Sequence, residues 1–118
     1  MTKILVIDDD AQMRRLVVRI LKGAGHEVLE AENGQEGLSL FRIHRPALVI
    51  TDILMPYKDG LEVIRELRGN AQRVAIIAIS GDGPLFLDIA KKWGADVALA
   101  KPFSPLELVE AVDKLLAL

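Results

Sequence analysis

Cysteine is absent from this 118-residue chain, which removes disulfides, thiolate metal sites and a cysteine nucleophile together. A reducing compartment fits that absence. An excess of one charge is also missing, because 15 Lys and Arg stand against 17 Asp and Glu for a formal net charge of -2. The basic footprint of a nucleic-acid binder is therefore lacking, and no nucleic-acid partner is expected. Long apolar runs are lacking too. The first, Ile4-Leu5-Val6-Ile7, stops at Asp8-Asp9-Asp10, too short for a signal-peptide core and far short of the roughly 20 apolar residues that cross a bilayer. No membrane contact is expected, and the cytoplasm is the expected location. Repeats, linkers and low-complexity stretches are missing as well. One ordinary domain occupies about 100–150 residues, so 1–118 is read as one unit with no output domain.

What is present is a foldable core: 51% of residues are hydrophobic and 27% charged, with mean hydropathy +0.28. Four short apolar runs, Ile4–Ile7, Ala47–Ile50, Val74–Ile79 and Val97–Ala100, are rich in β-branched or small side chains. They read as strands buried on both faces. A fifth, Glu27-Val28-Leu29-Glu30-Ala31, carries two carboxylates, which an edge strand tolerates better than a central one.

Helical patterns lie between the strands. Met13, Leu16, Val17, Ile20 and Leu21 are spaced to form one face, with Arg14, Arg15, Arg19 and Lys22 mostly elsewhere; this helix is expected to end near Gly23 or Gly25. A second runs from about Gly34 to His44 with Asn33 as its cap and Leu38 and Phe41 inward. Val63, Ile64 and Leu67 mark a third, and Phe86, Ile89, Ala90 and Trp93 share a face of a fourth. Ser104-Pro105-Leu106-Glu107 opens a fifth, combining a capping box with proline at the first helical position. Five strands alternating with five helices imply a doubly wound α/β sandwich, a parallel sheet with helices on both faces.

Such sheets bind ligands beyond the carboxyl ends of their strands. Those ends carry Asp8-Asp9-Asp10, Asp52, Ser80 and Lys101-Pro102. Converging carboxylates repel one another unless a cation neutralises them, and an all-oxygen acidic site suits Mg²⁺. The remaining groups match phosphoryl transfer. Asp52 is the expected nucleophile, forming an acyl phosphate, with the Ser80 hydroxyl and the Lys101 ammonium directed at the phosphoryl oxygens.

With these residues assembled, the chain resembles the receiver domain of bacterial two-component response regulators. The resemblance covers essentially all of it. It rests on Ile4 to Asp10, on Thr51-Asp52-Ile53-Leu54-Met55-Pro56 followed by Asp59-Gly60, on Ser80-Gly81, on Gly94-Ala95-Asp96 and on Lys101-Pro102-Phe103. It implies a five-stranded parallel sheet of order 2-1-3-4-5, the flavodoxin-like, CheY-like (βα)5 fold. It also implies that Asp9 contacts Mg²⁺ directly and Asp8 through water, with Asp52 and the backbone carbonyl of Leu54 completing the protein ligands. Asp52 would take its phosphoryl group from a phosphohistidine of a sensor histidine kinase or histidine phosphotransfer protein, while Ser80 and Lys101 sense it. The chain would then be a switch rather than an enzyme, self-catalysing only its own phosphorylation and dephosphorylation. Its downstream protein target would bind a face built from the fourth helix, fifth strand and fifth helix, with the chain a monomer or a phosphorylation-dependent dimer. A cis peptide at Lys101-Pro102 is expected, an isomer open to proline at modest cost.

Two positions depart from the family pattern. Ala98 stands where many receivers carry Tyr or Phe, so coupling through an aromatic rotamer flip cannot operate. Lys58 stands where methionine is common and places a cation near the site mouth.

Several residues carry two readings. Asp10 is read as a cap of the first helix rather than a metal ligand, and His26 and His44, without ligand partners at useful spacing, as surface residues. Leu85-Phe86-Leu87 either packs against the fourth and fifth strands or forms a partner-docking surface. Lys91 and Lys92 opposite Asp96, with Glu107 or Glu110, are either a solvated charged face or intersubunit ion pairs. Two rival functions share features of the chain. A haloacid dehalogenase-type phosphatase would use Asp8 as nucleophile within Asp8-Asp9-Asp10, but it leaves the Asp52–Gly60 motif unexplained and lacks length for a cap. A flavodoxin-like FMN binder would set three aspartates against a flavin phosphate.

Overall fold

In the computed structural model, residues 2–69 and 73–117 are described. Five strands, β1 (Lys3–Ile7), β2 (Glu27–Ala31), β3 (Leu48–Asp52), β4 (Ala75–Ser80) and β5 (Val97–Ala100), alternate with five helices, α1 (Ala11–Gly23), α2 (Gly34–His44), α3 (Gly60–Gly69), α4 (Pro84–Trp93) and α5 (Pro105–Leu116). All strand pairings are parallel, in the order β2-β1-β3-β4-β5. Each strand lies within one or two residues of its apolar run.

Side-chain alternation sorts each strand onto two cores. Leu5, Ile7, Val49, Ile76 and Ala78 face Leu38 and Phe41 of α2, Val63, Ile64 and Leu67 of α3, and Ala90 of α4. Ile4, Val6, Leu48, Ile50, Ile77 and Ile79 face Val17, Val18 and Leu21 of α1, with Leu108 and Val112 of α5. Runs of continuous apolar residues are what a strand covered on both faces requires. β5 differs from that expectation. Every residue of it is partly accessible, because it pairs only with β4 and forms the second edge of the sheet.

The capping expectations hold. Asn33 Oδ1 accepts from Glu36 N at 2.9 Å, and Ser104 and Glu107 exchange reciprocal bonds at 3.1 and 3.0 Å. Asp10 Oδ1 accepts from Gln12 N and Met13 N at 3.0 and 3.3 Å, so Asp10 is the cap of α1. Asp10→Ala is expected to cost about 1 kcal/mol through the lost cap, a fall of several degrees in a thermal melt.

Two faces are rotated from the sequence reading. On α1 the buried set is Arg14, Val17, Val18 and Leu21, while Leu16 is 44% exposed. Positions 14, 17, 18 and 21 are themselves a helical stripe; reading charge as an outward marker hid it. On α4 only Ala90 is buried. Phe86 and Leu87 pack against the core, whereas Leu85 is 66% and Trp93 40% exposed. Trp93 lies instead under the guanidinium of Arg65, 5.3 Å from ring centroid to Cζ.

Candidate functional site

Strand register places the chemistry. Ile7 pairs with both Ala31 and Thr51, Asp52 with Ile79, and Ser80 with Ala100. The residues that end or follow these strands, Asp8, Asp52, Ser80 and Lys101, therefore share one edge. This is where the order reverses between β1 and β3, the crevice such sheets use for ligands.

Asp8 is buried and held at several atoms. Its N–H donates to Ala31 O at 3.1 Å, its Oδ1 accepts from Asp10 N at 2.9 Å, and its carbonyl accepts from Arg14 Nη1 at 2.7 Å. Asp9, one residue further, is exposed. Asp52 is 8% exposed; its Oδ1 accepts from Ile53 N at 3.0 Å and lies 3.4 Å from Lys101 Nζ. The same ammonium is 3.7 Å from Asp8 Oδ2. Among the described residues Asp52 Oδ2 accepts no hydrogen bond, and no buried side-chain oxygen lacks a partner, so this oxygen is open to solvent. The Lys101-Pro102 peptide is cis, as expected.

Ser80 is buried at the end of β4. Its hydroxyl accepts from Asp82 N at 3.1 Å and approaches Asp82 Oδ2 at 3.4 Å. The Lys101 N–H donates to Ser80 O at 2.9 Å, tying the lysine to that strand end. Leu54 follows two residues after Asp52 in the β3–α3 loop, its side chain 44% exposed.

The electrostatics are unbalanced toward negative charge. Carboxylate oxygens of Asp8, Asp9 and Asp52 lie within 4.8 Å of one another, faced among the described residues by the Lys101 ammonium. Burial, then the Asp8 charge, pushes Asp52 up to about 6 despite the opposing pull of Lys101 and the Ile53 N–H. Burial also raises Asp8, against the Asp10 N–H and Lys101, with Asp9 and Asp10 adding to the rise. A hard divalent cation relieves both strains at once, and three convergent carboxylate oxygens are donors of the type it takes. The residues fit a metal site.

Two residues given a role from sequence lie elsewhere. Lys58 is paired with Glu66 of α3, which also meets Arg42 of α2 at 3.9 Å; its charge is engaged away from the acidic cluster. Asp96 is paired with Arg68 of α3 at 2.8 Å and accepts from Ile76 N at 2.8 Å. It fastens the start of β5 within its own chain. Sequence reading passed over Arg14, whose signal was its place in the buried α1 stripe.

Comparison with known proteins agrees with this geometry. The family model of the response regulator receiver domain matches residues 4–113, and the chain belongs to that family. It is 42% identical over 115 residues to the "Probable transcriptional regulator ycf27" of Porphyra purpurea, covering 97% of this chain and 47% of that protein. With the chemotaxis protein CheY of Thermotoga maritima it shares 37% over 114 residues, 95% of each. The chain thus spans about half the length of the ycf27 regulators it matches. Among solved structures, a receiver domain protein from Clostridium thermocellum superposes with TM-score 0.93 at 33% identity, covering 99% and 95% of the two chains. CheY4 of Vibrio cholerae superposes with TM-score 0.90 at 31% identity, covering 98% and 99%. The chain is a receiver of the two-component response regulator class, with the doubly wound 2-1-3-4-5 sheet of that fold. The phosphatase and flavin-binder readings have no support in these matches.

Proposed function

We propose that Asp52 is the phosphoryl acceptor of this receiver and that its modification switches binding to another protein. The observation that carries this reading is the solvent-open Oδ2 of an otherwise buried aspartate, flanked by Asp8 and by Lys101 Nζ at 3.4 Å. A pKa near 6 leaves Asp52 ionised at neutral pH, as a nucleophile must be.

In the step, a carboxylate oxygen of Asp52 bonds to phosphorus as the bond to the donor's imidazole nitrogen breaks. The nitrogen leaves with the electron pair and the acyl phosphate remains on Asp52. Attack of water on phosphorus breaks the P–O bond to Asp52, which leaves as the free carboxylate, and releases inorganic phosphate, reversing the switch. Lys101 Nζ exchanges its carboxylate contacts for a phosphoryl oxygen, and the Ser80 hydroxyl turns from Asp82 to another. Asp8, Asp9, Asp52 and the Leu54 carbonyl would hold Mg²⁺, which when bound supplies the positive charge that lets carboxylates and phosphoryl oxygens coexist. No separate substrate is turned over, so the chain is a switch and not an enzyme.

The donor is a phosphohistidine on a sensor kinase or phosphotransfer protein, met in the cytoplasm; no helix among the described residues is long and apolar enough to cross a membrane. Output passes through the face formed by α4, β5 and α5, where Leu85 and Leu106 are exposed. A small side chain at Ala98 on β5 leaves the Ser80 and Lys101 movements to act through the loops themselves.

Intact mass after incubation with Mg²⁺ and a small acyl-phosphate donor tests the reading. One added phosphoryl group, mapped after reductive trapping to the peptide holding Asp52, is expected. An adduct on Asp8, or none at millimolar Mg²⁺, overturns it.

A further inference from the structure

Arg14 is a buried arginine in an otherwise apolar stripe of α1, where a leucine would satisfy packing without the cost of desolvating a guanidinium. Its bonds show what offsets that cost. Nη1 donates to the backbone carbonyl of Asp8 at 2.7 Å, and Nε donates to Glu30 Oε1 at 3.2 Å. The side chain therefore straps the end of β1 to the edge strand β2 beneath the acidic cluster.

The carbonyl of Asp8 and the N–H of Asp9 belong to one planar peptide unit, so fixing the oxygen fixes the plane from which Asp9 departs. Asp9 needs that support. Its carboxylate is exposed and has no hydrogen bond among the described residues, so its position within 4.8 Å of Asp8 and Asp52 oxygens rests on the backbone. With its N–H on Ala31, its carbonyl on Arg14 and Oδ1 on Asp10, Asp8 presents Oδ2 alone to the cluster and Lys101.

We infer that Arg14, oriented by Glu30, is a positioning residue that clamps the Asp8–Asp9 peptide and so sets the affinity of the acidic cluster for a divalent cation. The inference rests on the metal reading of that cluster. Its sign separates it from the alternatives. A guanidinium acting only by charge would repel a cation, so its removal would tighten binding; one acting only in packing would alter the melting temperature and leave affinity unchanged.

The test is Mg²⁺ titration of the purified chain followed by the amide shifts of Asp9 and Ile53, in wild type, Arg14→Met, Arg14→Lys and Glu30→Gln. Groups that orient metal ligands typically contribute ~10–100-fold in affinity. Arg14→Met is expected to weaken Mg²⁺ binding at least ~10-fold on that scale, despite the lost positive charge. Arg14→Lys, which keeps the charge and a donor but not the fork, should fall between it and wild type, and Glu30→Gln should weaken binding less than Arg14→Met. Phosphoryl uptake by Arg14→Met should return to the wild-type rate at saturating Mg²⁺. Mg²⁺ binding by folded Arg14→Met as tight as wild type, or tighter, overturns the clamp. Should that variant not fold, wild-type affinity in Arg14→Lys overturns it. A wild-type chain that shows no Mg²⁺-dependent shifts refutes the metal reading itself.

Discussion

Asp52→Asn is expected to take no phosphoryl group from an acyl-phosphate donor and, in the absence of metal, to melt at a higher temperature than wild type near pH 7.5. The first outcome follows because a neutral amide is not a nucleophile for this step. The second follows from the cost of the buried charge. The Asp52 carboxyl is raised from 3.8 to about 6 by burial and by Asp8. An acid whose folded pKa is raised binds more protons folded than unfolded between those two values. Stability therefore falls as pH rises through that window, and the loss is complete above it. A shift of this size corresponds to roughly 2–3 kcal/mol. That shift is already net of the Lys101 attraction, so the variant is expected to recover about 2–3 kcal/mol, or roughly 10 °C in melting temperature.

Melts in EDTA from pH 4 to 8 should show the wild-type decline flattened in Asp52→Asn, with a residual slope from Asp8, whose carboxyl is also raised. Saturating Mg²⁺ should stabilise wild type more than the variant, since binding to the folded state adds to its stability. An adduct on Asp52→Asn, or a lower metal-free melting temperature than wild type, would contradict this account of the site.

The largest loss is expected from the smallest addition. A Cβ at Gly60 would lie 2.0 Å from the carbonyl oxygen of Asp52 and 2.9 Å from both its carbonyl carbon and Ile53 Cα. These are backbone atoms at the end of β3, held by Thr51 Oγ1 donating to Asp52 O at 2.9 Å and by Gly60 N donating to Ile53 O at 2.7 Å. Relief requires moving the first turn of α3 or the strand end that carries Asp52. Gly60→Ala should cost about 3 kcal/mol or more by overpacking, lowering the melting temperature by roughly 10 °C. Phosphoryl uptake by the remaining folded protein should fall on the order of 100-fold, as misplacement of a reacting group by an ångström commonly does. Gly23→Ala is the control, because nothing lies within 4 Å of a Cβ there, and it should melt at or slightly above wild type. Equal melting of Gly60→Ala and wild type would show that the close approach does not constrain the fold.

The motif at Asp59-Gly60 was visible in sequence, but its reason was not, because the atom that forbids a side chain belongs to a residue eight positions earlier. The same distinction runs through the molecule. Asn33, Asp10 and Ser104 were identifiable as caps because a cap bonds residues two or three positions away. The α1 face differs from the sequence reading by a fraction of a turn, since which stripe is buried depends on where β1, β2 and α5 lie, and Arg14 is retained inside only because the Asp8 carbonyl and Glu30 meet it there. Lys58 looked available from its loop position; α3 brings Glu66 to it.

Sequence alone determined the alternation of five strands and five helices, the burial of the central strands on both faces, and the gathering of Asp8, Asp52, Ser80 and Lys101 at strand ends. Those properties follow from local periodicity and from the alternation of strand and helix, which brings the carboxyl ends of parallel strands to one edge. Tertiary structure decided what depends on distance between remote segments. It set Lys101 at 3.4 Å from Asp52, raised the Asp52 pKa through burial and the neighbouring Asp8, engaged Asp96 with Arg68, and strapped the acidic pair through Arg14 to the edge strand. Desolvation and Coulomb energies are functions of three-dimensional separation, which chain order does not encode residue by residue.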